Sequence, residues 1–146
     1  MGNRTKILIT IDWFLPGTLS GGPVRSYANL IEHLKDDFEF YIITRNTDFG
    51  SEKAYDHVEP NAWSSFNSYT KVYYMGNSDL NRAHLKEVIN SISFDLAFVN
   101  GIYSWYFSIL PVFLLKKTQK PVIVSSRGML NPQAFSVKPL KKRVYL

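Results

Sequence analysis

The residues with the clearest chemical potential are two adjacent glycines, Gly21 and Gly22, which stand directly before Pro23. From Pro23 onward the apolar residues repeat with the period of a helix, so the glycines mark a predicted helix start. The first N–H groups of a helix have no partner within the helix and carry a partial positive charge. Glycine at this position lets an anion approach the backbone closely. The sequence therefore predicts an anion-binding turn here.

The elements that position this turn are a strand before it and a helix after it. The run Lys6–Ile11 (KILITI) is apolar and rich in β-branched residues, which is typical of a buried strand in a parallel sheet. Proline in the first turn of a helix costs little, because its missing N–H would be unpaired there. The helix has one apolar stripe, formed by Val24, Tyr27, Ala28, Ile31 and Leu34.

Two further polar turns follow predicted strands. Asn100 comes directly after an apolar run at 94–99, and Arg127 and Gly128 follow another apolar run at 121–125. The carboxyl ends of parallel strands meet at one edge of a sheet, and open α/β sheets bind their ligands there. We therefore expect these turns to join the glycine turn in one site.

Several other chemistries lack their sequence signatures. The glycine turn is not followed by Lys-Ser or Lys-Thr, which excludes a P-loop, and it lacks the spacing of a dinucleotide-binding turn. The chain has no cysteine, and its three histidines lack metal-ligand spacing: His33, His57 and His84. We therefore expect neither a metal nor a bound cofactor.

The remaining segments complete an alternation of strands and helices. Apolar runs at 38–44 and 71–75 predict two more strands, and a helix capped by Asn77 or Ser78 is predicted after them. His84 lies off the apolar stripe of that helix and is predicted to be on the surface. The alternation predicts an α/β fold with a Rossmann-like, doubly wound parallel sheet. We expect about five strands in the order 3-2-1-4-5, with helices on both faces.

The segment 45–69 has no clear period, and loops of this length in compact domains are commonly functional or mobile. Its aromatic residues stand beside acidic ones. Two interpretations are open, because the aromatic side chains either form an exposed surface for a sugar or another flat ligand, or pack onto the core. These residues are Phe49, Tyr55, Trp63, Phe66 and Tyr69.

The segment 102–115 is almost wholly apolar but too short to span a bilayer. Pro111 predicts a kink within it, because proline removes a helical hydrogen bond. We predict a buried helix, or one whose outer face meets another domain. The alternative is a helix on a membrane surface, because three cations follow it: Lys116, Lys117 and Lys120.

The charges are unevenly distributed along the chain. The net charge is +5, yet Asp95 is the last acidic residue, and eight lysines and arginines follow it. So basic a segment predicts a phosphorylated ligand, an anionic membrane face or nucleic acid as its partner, or else a solvated basic face. The absence of cysteine suits a reducing compartment, and no signal-peptide pattern precedes the first strand.

Four stretches of the chain resemble the N-terminal half of glycosyltransferase family 4 proteins, which have the GT-B fold. The first is the glycine turn with its helix (FLPGTLSGGPVRSYANLIEHL), and the second is ITRNTDFG with the downstream EPNAW. The second resembles the acceptor-side loop of capsule and exopolysaccharide enzymes. The third is FDLAFVNGIYSW, and the fourth and most specific is PVIVSSRGMLNPQAFSVKPLKKRVYL. The resemblance covers essentially the whole chain.

This resemblance implies a retaining transfer of a sugar from a nucleotide-sugar to a saccharide or lipid-linked acceptor, in the synthesis of cell-surface polysaccharide. It implies no metal and no cofactor, because the nucleotide-sugar is a co-substrate. Gly21 and Gly22 match the loop that approaches the donor diphosphate. The residues that match the acceptor side of the cleft are Asn100, Tyr103, Arg127 and Gly128.

Some positions depart from the family pattern. Two histidines of the family correspond here to Phe98 and Asn100, and an asparagine can bind a hydroxyl group but cannot act as an acid or base. Arg127 stands where many relatives have a histidine, although arginine is a recognised variant. We therefore name no general base, and Arg127 and Asn100 are the candidates for residues in the reactive cleft.

The resemblance also implies a domain organisation. Residues 1–146 would form the N-terminal, acceptor-side domain of a two-domain enzyme, with the C-terminal donor domain outside this chain. We therefore expect the isolated chain to be inactive. We expect a cytoplasmic protein that binds a nucleotide-sugar and a saccharide or lipid-phosphate acceptor, with peripheral contact at the anionic inner membrane face and no nucleic acid. The alternative is a non-catalytic α/β ligand-binding module of flavodoxin or receiver type, which would need an acidic cluster around Asp12.

Overall fold

The computed structural model describes residues 3–127, along which strands and helices alternate and confirm the predicted α/β class. The strands are β1 (Thr5–Thr10), β2 (Phe38–Arg45), β3 (Trp63–Asn67), β4 (Thr70–Met75), β5 (Leu96–Asn100) and β6 (Val122–Ser125). The α-helices are α1 (Gly22–Leu34), α2 (Arg82–Asn90) and α3 (Leu110–Lys116). A 3₁₀ turn at Asn77–Asp79 precedes α2, and a π-helical turn at Trp105–Ile109 leads directly into α3.

The strands form one sheet in the order β3-β4-β2-β1-β5-β6. Five of them are parallel, and their order β4-β2-β1-β5-β6 is the predicted 3-2-1-4-5. The sixth strand, β3, was not predicted and runs antiparallel to β4 at the edge of the sheet. The hydrophobic pattern of the sequence does not indicate β3, because this strand is short, contains no buried residue and includes a register shift between Ser65 and Asn67.

Helices cover both faces of the sheet, as predicted. Successive residues of a strand point to opposite faces, so Ile7 and Ile9 pack on the side of α1, and Leu8 packs on the side of α2 and α3. Both sets of side chains are buried. This two-sided burial is the reason that the middle of β1 is a continuous apolar run, Ile7 to Ile9, and does not alternate with polar residues.

The prediction of an irregular loop over residues 45–69 is wrong at both ends. Arg45 is the last residue of β2, and β3 occupies 63–67. The irregular part, 46–62, lies against the α1 side of the sheet and contributes Tyr55 and Val58 to that core. Of the five aromatic residues, Tyr55, Trp63 and Tyr69 pack onto the core, whereas Phe49 and Phe66 are about half exposed.

The start of α2 also differs from the prediction. Its N-cap is Asn81, whose side chain accepts a hydrogen bond from the N–H of His84 at 2.8 Å, and not Asn77 or Ser78. His84 is half-buried and not a simple surface residue. Its two ring nitrogens lie 2.9 Å from the hydroxyl of Tyr73 and 2.9 Å from a backbone carbonyl, respectively. The sequence pattern places the cap too early, because a 3₁₀ turn at Asn77–Asp79 comes before the first residue of α2.

The predicted disturbance at Pro111 takes the form of the π-helical turn that precedes it. Pro111 has no N–H, so the carbonyl of Phe107, four residues earlier, lacks its usual helical partner. Thr10 of β1 supplies one, because its hydroxyl donates a hydrogen bond to that carbonyl at 2.9 Å. Both residues are buried, so this bond ties the helical segment to the middle of the sheet.

Replacing Thr10 by valine is expected to lower the free energy of unfolding by about 1 to 2 kcal/mol, because the buried carbonyl of Phe107 loses its partner. Thr70→Val is the matched control. Thr70 is equally buried, and its hydroxyl has no hydrogen-bond partner within the described chain, so the control should be neutral or stabilising. Urea denaturation measures both variants. An equal loss of stability in the two variants would show that the hydrogen bond of Thr10 does not cause the effect.

Candidate functional site

The carboxyl ends of the five parallel strands form one edge of the sheet, and the turns that leave this edge carry the candidate residues. The glycine loop (residues 12–22) leaves β1, and the segment 46–62 leaves β2. Asn100 ends β5, and Arg127 follows β6. Open α/β sheets bind ligands at this edge, because loops from neighbouring strands surround a crevice there.

The end of the glycine loop is open to a ligand. Gly21 is the N-cap of α1, has a φ of 72°, and provides no side-chain hydrogen bond to the helix. A positive φ favours glycine, so this turn depends on the residue type. Apart from the adjoining residues and the backbone of the helix itself, no atom lies within 4 Å of the place that a Cβ of Gly21 or Gly22 would occupy. There is therefore open space beside the start of α1, where the first N–H groups have no partner within the helix.

The glycine loop is held in place by the segment 46–62 and by β4. The carboxylate of Asp48 accepts hydrogen bonds from the backbone N–H groups of Thr18 at 3.0 Å and Leu19 at 3.3 Å. The hydroxyl of Tyr74 donates to the carbonyl of Leu15 at 2.6 Å. These charged and buried partners fix the loop before any ligand binds.

Gly17 marks the closest contact between the glycine loop and the segment 46–62. A Cβ at this position would overlap the hydroxyl of Tyr55 and crowd the carboxylate of Asp48. The same hydroxyl donates to the carbonyl of Phe14 at 3.4 Å. Tyr55 therefore supports the loop, which is a structural role for one aromatic residue of the long segment.

Stability should fall in alkaline solution, because burial raises the pKa of Tyr74 and of Tyr106 to about 12. The unfolded chain ionises its tyrosines near pH 10, so it loses protons before the folded state does. The stabilisation is fully present below about pH 10 and is lost as the pH rises through about 12. Denaturation midpoints across this range measure the slope. Tyr74→Phe should make the slope shallower, and an unchanged slope would contradict the assignment.

A partly buried ion pair lies at the middle of the same edge. The guanidinium of Arg45 donates to the carboxylate of Asp12 at 3.2 Å, and the Ser104 hydroxyl donates to the same carboxylate oxygen at 2.9 Å. The side chains of Asp12 and Arg45 are 17% and 25% exposed. The guanidinium also lies 4.9 Å from the centre of the Phe107 ring. The cluster joins β1, β2 and the π-helical turn.

A polar pocket of about 350 Å³ opens beside this ion pair. Trp13 lines it, and the Trp13 ring meets the ring of Phe49 edge to face, with centroids 4.9 Å apart and planes at 86°. Its polar lining includes Arg45, Thr47, Asp48, Ser51, Glu52 and Asn77. Such a combination of aromatic surface with planar polar side chains is able to bind a saccharide, because sugars present both C–H faces and hydroxyl groups.

Asn100 and Tyr103 lie at the end of β5 and in the turn after it. Asn100 is buried, and its side-chain oxygen has no hydrogen-bond partner within residues 3–127. Its backbone carbonyl accepts a hydrogen bond from the Ser108 hydroxyl at 2.8 Å. A buried polar atom without a partner is rare and favours a bound water or ligand group. Tyr103 is half-buried in the following turn.

Arg127 lies over the flank of α1. Its guanidinium donates to the hydroxyl of Ser26 at 3.1 Å and lies 5.4 Å from the centre of the Tyr27 ring. It also lines a hollow of about 440 Å³ with Phe98 and Ser125. Arg127 thus reaches the same helix that Gly21 begins, one turn further along. Gly128, the other predicted residue of this turn, lies outside the described residues.

Three features of the edge were missed by pattern reasoning: the ion pair of Asp12 with Arg45, the ring pair of Trp13 with Phe49, and the anchoring role of Asp48. The ion pair had a detectable signal. The register of β1 with β2 pairs Thr10 with Ile43, so two residues further Asp12 lies opposite Arg45. The other two features depend on how the segment 46–62 folds back, for which the sequence offers no period.

Within the part of the chain that the structure describes, no group of three or more histidine, aspartate or glutamate residues lies in positions to hold a metal ion. Comparison of the chain with family models, with curated proteins and with solved structures gave no match.

Proposed function

We propose that this chain is the acceptor-side domain of a retaining glycosyltransferase of family 4, with the GT-B fold. The observation that carries the proposal is the juxtaposition of an open glycine turn at the start of α1 with a polar, aromatic-lined pocket at the same edge of the sheet. The glycine turn suits the diphosphate of a nucleotide-sugar, and the pocket suits a saccharide. The motif resemblance supports the same reading.

In this proposal Gly22 and the start of α1 supply backbone N–H groups to the donor diphosphate, and Gly21, whose own N–H donates to the carbonyl of Thr18 at 3.1 Å, leaves room for its approach. These groups need no reorganisation, because Asp48 and Tyr74 already hold the loop. Negative charge grows on the diphosphate as it leaves the sugar, so preorganised N–H donors stabilise the transition state more than the ground state. The donor domain, outside this chain, would supply the remaining contacts to the nucleotide.

The acceptor would occupy the pocket beside Trp13 and Phe49. The ring of Trp13, which lines the pocket, provides an apolar surface for one sugar face, and the carboxylate of Glu52 and the amide of Asn77 can bind hydroxyl groups. The unpartnered oxygen of Asn100 would accept a hydroxyl hydrogen bond deeper in the cleft. Arg127 would bind a phosphate or a sugar hydroxyl from the side of α1.

The alternative of a receiver-type or flavodoxin-type binding module has less support. A receiver-type site needs several free carboxylates around Asp12 to hold a cation. In this chain the Asp12 carboxylate is paired with Arg45 and Ser104. We therefore retain a single proposed function, a cytoplasmic enzyme of cell-surface polysaccharide synthesis whose acceptor is a saccharide or a lipid-linked saccharide.

The proposal is tested with the full-length protein, a panel of radiolabelled uridine and guanosine diphosphate-sugars, and a bacterial lipid extract as acceptor source. Label should move into the lipid or oligosaccharide fraction with retained anomeric configuration. The chain of residues 1–146 alone should show no transfer. Transfer by this chain alone would contradict the two-domain assignment. Failure of the full-length protein to bind any of these donors would contradict the proposed function.

A further inference from the structure

The pocket beside Trp13 carries more negative than positive charge. Three charged side chains line it, and they are Arg45, Asp48 and Glu52. The guanidinium of Arg45 is already paired with the carboxylate of Asp12 at 3.2 Å. The other ion pairs found among residues 3–127 involve neither Asp48 nor Glu52. Within the described chain, the pocket therefore presents two carboxylates that no cation neutralises.

The carboxylate of Asp48 is fixed in position by the backbone around it. It accepts hydrogen bonds from the N–H groups of Thr18 at 3.0 Å, Leu19 at 3.3 Å and Phe49 at 2.8 Å. A carboxylate held by three backbone donors does not turn away when a ligand enters. Its negative charge therefore stays at the wall of the pocket.

The carboxylate of Glu52 is the more accessible of the two. Glu52 is exposed and lines the pocket on the segment 46–62. Its neighbour Lys53 does not neutralise it, because the ammonium of Lys53 lies 3.4 Å from the carboxylate of Asp56. Glu52 is therefore positioned to meet a ligand with its full charge.

The rest of the lining is neutral and suits an uncharged sugar. Trp13 offers an aromatic ring for the C–H face of a sugar. The hydroxyls of Thr47 and Ser51 and the amide of Asn77 can both donate and accept hydrogen bonds, as sugar hydroxyls require. The lining contains no unpaired cation that could receive a carboxylate or a phosphate.

We propose that this pocket binds an uncharged sugar of the acceptor and that Glu52 and Asp48 reject sugars that bear a carboxylate or a phosphate. The inference rests on the proposed function, because it concerns the acceptor of that same site. Repulsion of the wrong ligand is a common source of specificity. Two carboxylates about 4 Å apart weaken binding about fivefold even at the permittivity of water, and the effect grows in a partly enclosed pocket.

The two ends of the carboxyl edge differ in charge in a way that fits this division. No acidic residue occurs after Asp95, so the turns that follow β5 and β6 carry no carboxylate, and Arg127 follows β6. The pocket with its carboxylates follows β2, on the other side of β1 in the sheet. An anionic group of the substrates is therefore favoured towards β6, and an uncharged sugar is favoured beside β2.

The test titrates the full-length protein with the phenyl glycosides of glucose, galactose, mannose and N-acetylglucosamine. Each is compared with its uronate, in which C6 is a carboxylate, and with its uronamide, a neutral group of nearly the same shape. Tryptophan emission reports binding, and the Trp13→Phe variant assigns the signal to the pocket. At least one parent glycoside and its uronamide should bind, and the uronate should bind at least about tenfold more weakly.

Salt and charge variants show whether the discrimination is electrostatic. Raising the salt from about 0.1 M to about 1 M should narrow the ratio of the two affinities, because the Debye length falls from about 10 Å to about 3 Å. Glu52→Gln should narrow the ratio about fivefold, and Glu52→Lys about 25-fold. Glu59→Gln is the matched control. Glu59 is exposed on the same segment but does not line the pocket, so the ratio should not change.

Three results would overturn the inference. They are a uronate that binds as tightly as its parent glycoside, a uronamide that is rejected as strongly as the uronate, and no binding of any parent glycoside. These measurements use no donor, so they are distinguishable from failure of the proposed function. Sugar transfer by a protein that binds uronates equally well would contradict the inference alone. Selective binding of uncharged glycosides without donor binding or transfer would contradict the proposed function alone.

Discussion

Replacement of Asp12 by alanine is expected to lower the free energy of unfolding by about 2 to 3 kcal/mol. The change leaves the guanidinium of Arg45 partly buried without its carboxylate, and it also removes the acceptor of the Ser104 hydroxyl. Arg45→Met should lower the free energy of unfolding by a similar amount, because it leaves the carboxylate of Asp12 partly buried without its cation. The double variant should lose less than the sum of the two single variants, since neither charge is then left unpaired. Chemical denaturation of the four proteins measures the coupling.

The ion pair between Lys53 and Asp56 is the control for this cycle. Its atoms are 3.4 Å apart, but its side chains are 78% and 72% exposed. Exposed pairs contribute little because water screens both charges, so Asp56→Ala should change stability by less than about 0.5 kcal/mol. If the two pairs gave equal losses, burial would not be the reason for the Asp12 effect.

Gly22→Ala is expected to reduce sugar transfer by the full-length protein by roughly tenfold to a hundredfold, while its melting temperature stays the same or rises slightly. The structure has open space at this position, and Gly22 does not have a positive φ, so a methyl group is tolerated by the fold. Under the proposed function the same methyl group would keep the donor diphosphate away from the N–H groups of α1. The expected signature is a higher KM for the nucleotide-sugar and weaker binding of uridine diphosphate, with the acceptor KM unchanged.

Gly21→Ala separates ligand approach from backbone strain. Gly21 has a φ of 72° and a ψ of −118°, so alanine there should lower stability by about 1 to 3 kcal/mol as well as reduce transfer. The two glycine variants should therefore differ in stability, but both should weaken binding of the nucleotide-sugar donor. A Gly22→Ala enzyme with unchanged kinetics would contradict the assignment of this turn to the diphosphate.

Much of the sheet was predictable from the sequence because parallel strands are buried on both faces. Such strands appear as short apolar runs, and helix-length crossovers between them restrict the strand order through the right-handed crossover rule. β3 was not predictable on these grounds, since its residues are half exposed or exposed and it pairs antiparallel with β4 with a register shift. The predicted cap of α2 was wrong because the polar residues Asn77 and Ser78 begin a 3₁₀ turn, and the α-helix itself starts after Asn81.

The candidate site was predictable where backbone chemistry alone defines it. Two glycines and a proline before an amphipathic helix fix the position of Gly21 at the start of α1. Side-chain pairs were harder to foresee. Asp12 and Arg45 are 33 residues apart in sequence, and only the parallel register of β1 with β2 makes them neighbours. Trp13 and Phe49 meet because the segment 46–62 folds back on the glycine loop.

By itself, the sequence determined the alternation of strands and helices, the order of the five parallel strands and the glycine turn before α1. These follow from local periodicity and from the sterics of glycine and proline, which act over a few residues. The tertiary structure alone decided which polar groups meet at the carboxyl edge, how Asp48 and Tyr74 hold the glycine loop, and which rings of the segment 105–116 stay exposed. The physical reason is that these contacts join distant residues, so they depend on packing and register and not on local pattern.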